Sequence, residues 1–369
     1  MQQTFDVFGY AHGHFSEVAW MGQNTNHLFP KPVVRKAVQA AMKEARYEEY
    51  PFASGLAELK SAMLEDFALP QAKVGITSGG TEALYMLTRA LLSPGDEVIS
   101  SDPTYLIIHK FIELSGATTV NHEIYAAPWR LTADRINNSI TPKTRMILLI
   151  DPLNPLGSGY PESEVKAIAE IAHDKKLLLL NDVTYRDFAD KHTLAATYAP
   201  EETVTVWSLS KNCGLAGLRI GGLFAAPDLF SKIWKYNTND LGVNVLSQWA
   251  ALAAMKVKKD VFPRIKSRTR ANQRRIKKVV ESVPGCSLPV YPSQGNMFVI
   301  DISQTGIDPQ KLQQELLENH NVFLRGGNYL SPKFGNRFIR ISFSNSTSDV
   351  ERFSTAFPAA VQKLRGAPA

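Results

Sequence analysis

The chain has 369 residues, a net charge of +6, 44% hydrophobic and 21% charged residues, enough for one domain of roughly two hundred residues plus a smaller one. These ordinary proportions exclude a disordered or fibrous protein, and no apolar run approaches the ~20 residues of a membrane span. Two cysteines, Cys213 and Cys286, give no disulfide framework and fit a reducing cytoplasm, and the N-terminus lacks the basic start and apolar core of a signal peptide.

The first forty-odd residues read as an arm followed by a helix. His12 and His14 stand in the arm with no Cys/His/carboxylate set at ligand spacing, so they read as loop histidines and no metal is expected. Over 32–47 the residues Val33, Val34, Ala37, Val38, Ala41 and Met42 recur at helical spacing behind Pro32, which suits a first turn. The chain breaks at Pro51 and Gly55 and enters another helix. From Lys73 strands and helices alternate, the pattern of a parallel sheet covered by helices. A short strand over 74–77 runs into Ser78-Gly79-Gly80-Thr81 and an apolar-periodic helix through Leu92. A glycine-rich turn of this kind exposes backbone N–H groups at a helix N-terminus, ready for a phosphate. Next come a strand around Val98 and Ile99 and, at its end, Asp102-Pro103-Thr104-Tyr105.

A strongly apolar strand over 145–150 ends in Asp151-Pro152-Leu153-Asn154-Pro155-Leu156-Gly157. That puts side chains at the carboxyl edge of the sheet, where open α/β folds bind ligands. After a helix over 161–173, a buried strand over 176–180 leads to Asp182 and Tyr185. A strand over 204–207 then delivers Ser208, Ser210 and Lys211, and a glycine-containing segment leads to Arg219 and an apolar run over 220–226. Lysine is poorly suited to a buried, glycine-flanked bend unless its amine has work to do. Desolvation lowers its proton affinity, and the neutral amine can attack a carbonyl to form a Schiff base. Two hydroxyls and a guanidinium close by suit a phosphate. A Schiff-base lysine beside a phosphate cup is what pyridoxal 5′-phosphate needs, and a carboxylate such as Asp182 against its ring nitrogen keeps that nitrogen protonated. Cys213, beside Lys211 but without a partner, reads as a packing residue.

A short helix over 227–235 precedes a long one over 246–280, with Pro263 as the expected break. Its dense basic stretch, including Arg268, Arg270, Arg274 and Arg275, reads as a solvated helix face and not as a nucleic-acid site. Past Pro284 the pattern turns to α+β, with a strand over 297–300, a helix over 309–319 and strands near Val322 and Phe338. Arg340 falls on an alternating strand.

Ser208-x-Ser210-Lys211 followed by Gly214-Leu215-Ala216-Gly217-Leu218-Arg219-x-Gly221 resembles the lysine signature of the class I/II aminotransferases, the fold-type I pyridoxal-phosphate enzymes. The order Asn-Pro-x-Gly, Asp-x-x-Tyr, Ser-x-Ser-Lys is also the family's order, and the resemblance covers about residues 20 to 362. It implies an α/β fold, with a large domain built on a mostly parallel seven-stranded sheet sandwiched by helices plus a smaller α+β C-terminal domain. Residues 1–45 would form an arm and helix packing with the small domain, 46–255 the large cofactor-binding domain and 256–369 the small domain. The resemblance implies pyridoxal 5′-phosphate held by Lys211, with Asp182 at the ring nitrogen and Tyr105 stacked on the ring, these three being the expected catalytic residues. Asn154 and Tyr185 would serve the ring oxygen. Gly79, Gly80, Thr81, Ser208, Ser210 and Arg219 would hold the phosphate. Tyr50, in Tyr50-Pro51, would reach the neighbour's phosphate in a homodimer with shared sites, with Tyr47 as the competing candidate. Arg340 would grip the substrate α-carboxylate, a pairing that suits the planar guanidinium.

Within the superfamily the FLRGG…RFIRISFS ending resembles the histidinol-phosphate aminotransferase branch, where Arg325 would be a second arginine for a phosphate or another acidic group. Two features depart from that branch. Asn24-Thr25-Asn26-His27 stands where the branch has Asn-Glu-Asn-Pro, and Ser-Gly-Gly-Thr-Glu stands where it has Asn-Gly-Ser-Asp. The opening lies over the substrate in the family, so Asn26 and His27 are expected substrate contacts, with His27 able to move protons. The expected function is transfer of an amino group from an amino acid to a 2-oxo acid. The same scaffold serves decarboxylases, lyases or cyclases and oxygen-using amino-acid oxidases, and a third reading is a non-catalytic binder of the cofactor. The intact Asp182–Lys211 pair speaks against that last one, since a mere anchor needs no electron sink. The expected partners are small-molecule substrates and a second copy of the chain, with no nucleic acid or membrane.

Overall fold

The computed structural model describes residues 5–366, so the extremes of the expected first and last segments, 1–4 and 367–369, lie outside the described residues. The arm begins with a helix, α1 (Val7–Gly13), whose N-cap Asp6 accepts the Gly9 amide at 2.9 Å, and continues into β1 (Ala19–Trp20). Helix α2 (Lys31–Lys43) has the expected Pro32 in its first turn but stops four residues short of the expected end at 47, and α3 (Ala57–Phe67) follows the Pro51–Gly55 break. The alternating region then runs β2 (Lys73–Thr77), α4 (Gly80–Leu91), β3 (Glu97–Asp102), α5 (Ile107–Leu114), β4 (Thr118–Glu123), α6 (Ala133–Asn137), β5 (Thr144–Ile150), α7 (Glu162–Lys175), β6 (Leu178–Asp182), β7 (Thr203–Ser208), α8 (Leu209–Asn212) and β8 (Gly221–Ala225). After α9 (Pro227–Trp234) and α10 (Val245–Ser282) come β9 (Met297–Asp301), α11 (Pro309–His320), β10 (Val322–Phe323), β11 (Arg325–Gly326), β12 (Phe338–Ser342) and α12 (Thr347–Gly366).

The large sheet has the order β2-β8-β7-β6-β5-β3-β4. Its pairs are parallel except those of β8, which lies antiparallel to both β2 and β7. Successive strand residues point to opposite faces, so Met146, Leu148 and Ile150 pack with α4 and α5 while Ile147 and Leu149 pack with α7. Burial on both faces is why 145–150 reads as one continuous apolar run. At the other end of the sheet, Ile76, Trp207 and Phe224 pack against Leu59, Met63 and Phe67 of α3 and Ala251 and Met255 of α10. Each fully buried apolar side chain of this kind contributes about 1.5–3 kcal/mol. The parallel strands β5, β6 and β7 therefore deliver their carboxyl ends side by side along one edge.

A second, antiparallel sheet of order β11-β12-β9 and the parallel pair β1-β10 occupy the C-terminal part. Phe298, Ile339 and Ile341 meet Ile276 of α10, Leu312 of α11 and Phe353 of α12 in a separate core. Pairing of Ala19 with Val322 and of Trp20 with Phe323 ties the N-terminal arm to this layer. Two local expectations are corrected. Helix α10 runs through Pro263 without a break. A proline inside a helix costs about 3 kcal/mol, and burial of Phe262, Ile265 and the rest of that face offsets it. The basic stretch is not wholly solvated either, because Lys258 is buried between Asp66 at 2.7 Å and Asp187 at 3.0 Å.

Candidate active site

The carboxyl ends of β5, β6 and β7 open into a cleft of about 250 Å³, near the lower bound of the ~300–1,000 Å³ typical of small-molecule sites. At the end of β7, Ser208 caps the short α8: its Oγ accepts the Ser210 amide at 3.2 Å and donates to Ser210 Oγ at 3.0 Å. That turn presents Lys211 to the cleft, where its Nζ donates to the Gln23 carbonyl oxygen at 2.8 Å. The side chain keeps a path to the cleft opening, but protein atoms surround the amine. Burial, reinforced by the charges of Arg340 and Arg219, pushes Lys211 down to about 7.

The last residue of β6 is Asp182, buried on the cleft wall, with Oδ1 accepting the Thr184 amide at 3.0 Å. Burial pushes its carboxyl up. Among the described residues it has no ion-pair partner. Tyr185 lines the same wall and its hydroxyl accepts a hydrogen bond from Asn24 Nδ2 at 3.1 Å. Past the end of β5, Asn154 Oδ1 accepts from Arg340 Nη1 at 2.9 Å, which leaves the Asn154 amide N–H groups to donate into the cleft. Tyr105 is half-buried across the cleft, and burial pushes its phenol up.

Gly79 sits at φ +82° ahead of α4 and offers no side-chain cap. The first-turn amides of α4, at Gly80 and Thr81, thus lack both an intrahelical partner and a capping oxygen. A side chain at Gly79 would collide with the Arg219 guanidinium, and one at Gly221 would strike the backbone of Gly79 and Gly80. Both glycines are needed for Arg219 and β8 to lie against this turn. Arg219 itself donates to Ala216 O at 2.8 Å and Ser78 O at 3.4 Å on the exposed rim. Gly80, Thr81, Ser208, Ser210 and Arg219 all border the cleft, while Gly79 lies just behind them.

On the opposite wall Arg340 of β12 is buried and donates from Nη2 to Gly22 O at 2.6 Å, while its Nε has no partner among the described residues. Arg325 of β11 stacks on Tyr329 at 3.9 Å and on Phe8 of α1 at 4.5 Å. Four candidate residues fall elsewhere. Tyr50 is 81% exposed and Tyr47 55% exposed, both away from the cleft of their own chain. Asn26 turns inward beneath α8 and donates to the Asn212 carbonyl oxygen at 2.5 Å, and His27 pairs with Thr25 Oγ1 at 2.9 Å. Both line a different depression from the one that holds Lys211 and Asp182. The chain passes the cleft two residues earlier, and Gly22, Gln23 and Asn24 form the wall instead. Asn24 opens the Asn-Thr-Asn-His stretch and Gly22 and Gln23 precede it, which is the signal that could have found them; Phe8 and Tyr329 carry none.

The family model for aminotransferase class I and II matches residues 16–357. The chain belongs to the class I and II aminotransferases. A probable N-acetyl-LL-diaminopimelate aminotransferase of Bacillus subtilis (strain 168) is 30% identical over 84% of this chain and 81% of its own. The aspartate/prephenate aminotransferase of Thermus thermophilus is 25% identical over 86% of this chain and 84% of its own. Histidinol-phosphate aminotransferase 1 of Mesorhizobium japonicum is 25% identical over 78% of each chain, so that branch is one of several at comparable identity. Among solved structures, an aminotransferase from Mycobacterium tuberculosis superposes with a TM-score of 0.85 at 22% identity, over 97% of this chain and 96% of its own, which speaks to the fold. The aminotransferase uses pyridoxal 5′-phosphate, as members of its family do. Its relatives named here are aminotransferases throughout, so the decarboxylase, lyase, oxidase and non-catalytic readings are set aside.

The residues fit that cofactor. An uncapped helix N-terminus beside two serines and an arginine suits its phosphate, and a buried carboxylate without a cation suits its ring nitrogen. A lysine held near neutrality suits its aldehyde. No helix among the described residues is long and apolar enough to cross a membrane, and none of their Cys, His and carboxylate side chains gather into a metal-binding group.

Proposed function

We propose that the aminotransferase moves the amino group of an α-amino acid to a 2-oxo acid at the cleft between β5, β6, β7 and β12. The observation that carries this reading is the meeting in one cleft of Lys211, with its amine near 7, the buried Asp182 and the buried Arg340. Bound pyridoxal phosphate supplies a sink for the electron pair left when the substrate's α-proton is removed. Lys211 would hold the cofactor through its amine and, once displaced by substrate, would carry the α-proton from the substrate Cα to the cofactor's former aldehyde carbon, a task suited to an amine poised near neutral pH. Asp182 keeps the ring nitrogen protonated. Tyr105 covers the ring, Asn154 and Tyr185 donate to its oxygen, and the Gly79–Thr81 turn with Ser208, Ser210 and Arg219 holds the phosphate.

Arg340 takes the α-carboxylate in its fork, trading the Gly22 carbonyl for a charged partner. Arg325, held against the rings of Phe8 and Tyr329, would offer its N–H groups to a second anionic group on the substrate. Tyr50 belongs to the neighbour's phosphate in a homodimer, which accounts for its exposure in the single chain. The reading also keeps the division into an arm and helix over 1–45, a large unit over 46–255 and a small unit over 256–369, and a cytoplasmic setting in which Cys213 and Cys286 stay unpaired.

The test is to reduce the holoenzyme with borohydride, map the modified peptide and assay amino transfer between a panel of amino acids and 2-oxo acids. Cofactor fixed to Lys211 with one-for-one appearance of a new amino acid is expected. Cofactor fixed to another residue, or no transfer with any pair, would overturn it.

A further inference from the structure

Asn24 lies on the cleft wall, is 1% exposed and has a φ of +54°, in the left-handed region. Its carbonyl oxygen accepts a hydrogen bond from Asn296 Nδ2 at 2.9 Å, an interaction any residue type would keep. Its side chain does something else. Nδ2 donates to the Tyr185 hydroxyl at 3.1 Å, and Oδ1 has no hydrogen-bond partner among the described residues. Glycine meets a left-handed φ without strain and buries no amide, whereas an acceptor buried unpaired is costly. A position needed for the turn alone would be better filled by glycine. The buried amide therefore has a job, and the group it touches is Tyr185.

A phenol oxygen carries one hydrogen and accepts on its lone pairs. With Asn24 donating to one lone pair, the phenol's own hydrogen must point away from Asn24. The Tyr185 hydroxyl makes no other hydrogen bond among the described residues, and the residue borders the cleft. We propose that Asn24 is a positioning residue that aims the Tyr185 hydroxyl hydrogen at the ring oxygen of the bound cofactor. This rests on Tyr185 serving that oxygen, as proposed above. The reverse orientation, with Oδ1 accepting from the phenol, would take that hydrogen away from the ring oxygen, so the two orientations have opposite consequences.

The readout is the pH at which the visible absorption band of the loaded enzyme titrates. A hydrogen bond donated to the charged ring oxygen stabilises the deprotonated chromophore, so a well-aimed donor holds the midpoint low. Asn24→Gly keeps the backbone conformation and removes the amide. The midpoint should rise by roughly 0.5–1 pH unit, the equivalent of one net hydrogen bond. Asn24→Asp, which accepts but cannot donate, should raise it further. In a Tyr185→Phe background Asn24→Gly should add nothing, because the two act as one unit. A midpoint that stays put or falls in Asn24→Gly overturns the inference while Tyr185→Phe still shifts it. If Tyr185→Phe itself leaves the midpoint unchanged, the role of Tyr185 fails and Asn24's falls with it. Additive shifts from the two positions would also overturn it, since Asn24 would then act independently of Tyr185.

Discussion

Arg325 and Arg340 are register partners across the antiparallel pair β11–β12. Opposite residues in such a pair hold their Cβ atoms about 5 Å apart, and like charges placed there repel. Both residues are buried, and neither has a carboxylate partner among the described residues. Burial, with the Arg325 charge adding to it, pushes Arg340 down to about 10. Two unneutralised guanidinium groups side by side form a site whose strain an anion relieves. A substrate with two acidic groups would relieve it best.

The two arginines should respond differently to substitution. Arg340→Lys keeps the charge but loses the fork, so KM for every amino acid should rise roughly ten- to hundredfold while the absorption spectrum of the holoenzyme is unchanged. Arg325→Ala should raise KM by a similar factor only for substrates with a second anionic group. Steady-state kinetics on a matched pair, one dicarboxylic and one neutral amino acid, would decide it. Equal losses on both would remove Arg325 from side-chain recognition.

Asp182→Asn preserves shape but cannot hold a proton on the ring nitrogen. Cofactor should still bind, and the rate of α-proton exchange with solvent should fall by at least ~10²-fold, the scale of losing one preorganised electrostatic contact. Exchange into deuterated water, followed by mass spectrometry of the amino acid, measures this step without product release. An exchange rate near that of the wild type would rule out the ring-nitrogen role.

Much of this site was legible in the sequence because its chemistry is local. Ser208, Ser210 and Lys211 come at the end of one strand, Asp182 and Tyr185 at the end of another, and each strand announces itself as an apolar run. What the sequence hid depends on distant packing. Asn26 and His27 are expected substrate contacts because the family's opening lies over the substrate, whereas the bond from Asn26 to the Asn212 carbonyl, which sets that stretch beneath α8, carries no signal in the sequence. Phe8 reaches Arg325 only because β1 pairs with β10, more than three hundred residues on. Lys258 looked like one cation among many until α10 packed against α3 and brought Asp66 to it. The helix break at Pro263 was expected from a local rule that tertiary packing overrides.

Lys258, Asp66, Asp187 and Arg186 form a cluster at the root of the lysine loop, and Asp187 also accepts from Asn212, the neighbour of Lys211. Burial alone would push Asp187 up, but Lys258, Arg186 and Asn212 outweigh it and hold the carboxyl well below the usual range. A carboxyl depressed in the folded state stabilises above its unfolded value and loses that contribution as pH falls through its folded one. Lys258→Met should therefore cost about 3–5 kcal/mol at neutral pH by leaving buried charge unpaired, and should move acid unfolding to higher pH. Urea titrations at several pH values test both. A loss below 1 kcal/mol would mean the cluster contributes nothing specific.

If Tyr50 completes the neighbour's site, Tyr50→Phe should weaken cofactor binding by about 1.5–3 kcal/mol without touching its own chain's cleft. Mixing chains sharpens this. A dimer of one Lys211→Ala chain and one Tyr50→Phe chain carries both defects in one site and none in the other. Refolded mixtures should regain a tight, borohydride-reducible site that neither parent has. Mixtures that behave as the average of their parents, or a fully active monomer in sedimentation, would refute the shared site.

Lys211 itself should set a pH dependence of stability in the protein freed of cofactor. Lys211 titrates near 7 in the folded chain against 10.5 for the free side chain, with burial as the main cause and Arg340 and Arg219 adding to it. Between those values the unfolded chain carries one more proton than the folded one, so stability rises with pH across the window. Below 7 both states are charged and the full penalty is present; above 10.5 both are neutral and it is gone. Lys211→Met removes the titration. The variant should therefore be more stable than the wild type near pH 6–7, and its advantage should shrink steadily as pH approaches 10. Urea midpoints of the two cofactor-free proteins over that range give the difference directly, and other titrating groups cancel in it. Parallel curves would mean that Lys211 keeps an ordinary amine, and the claim that the fold itself prepares it for proton transfer would fall.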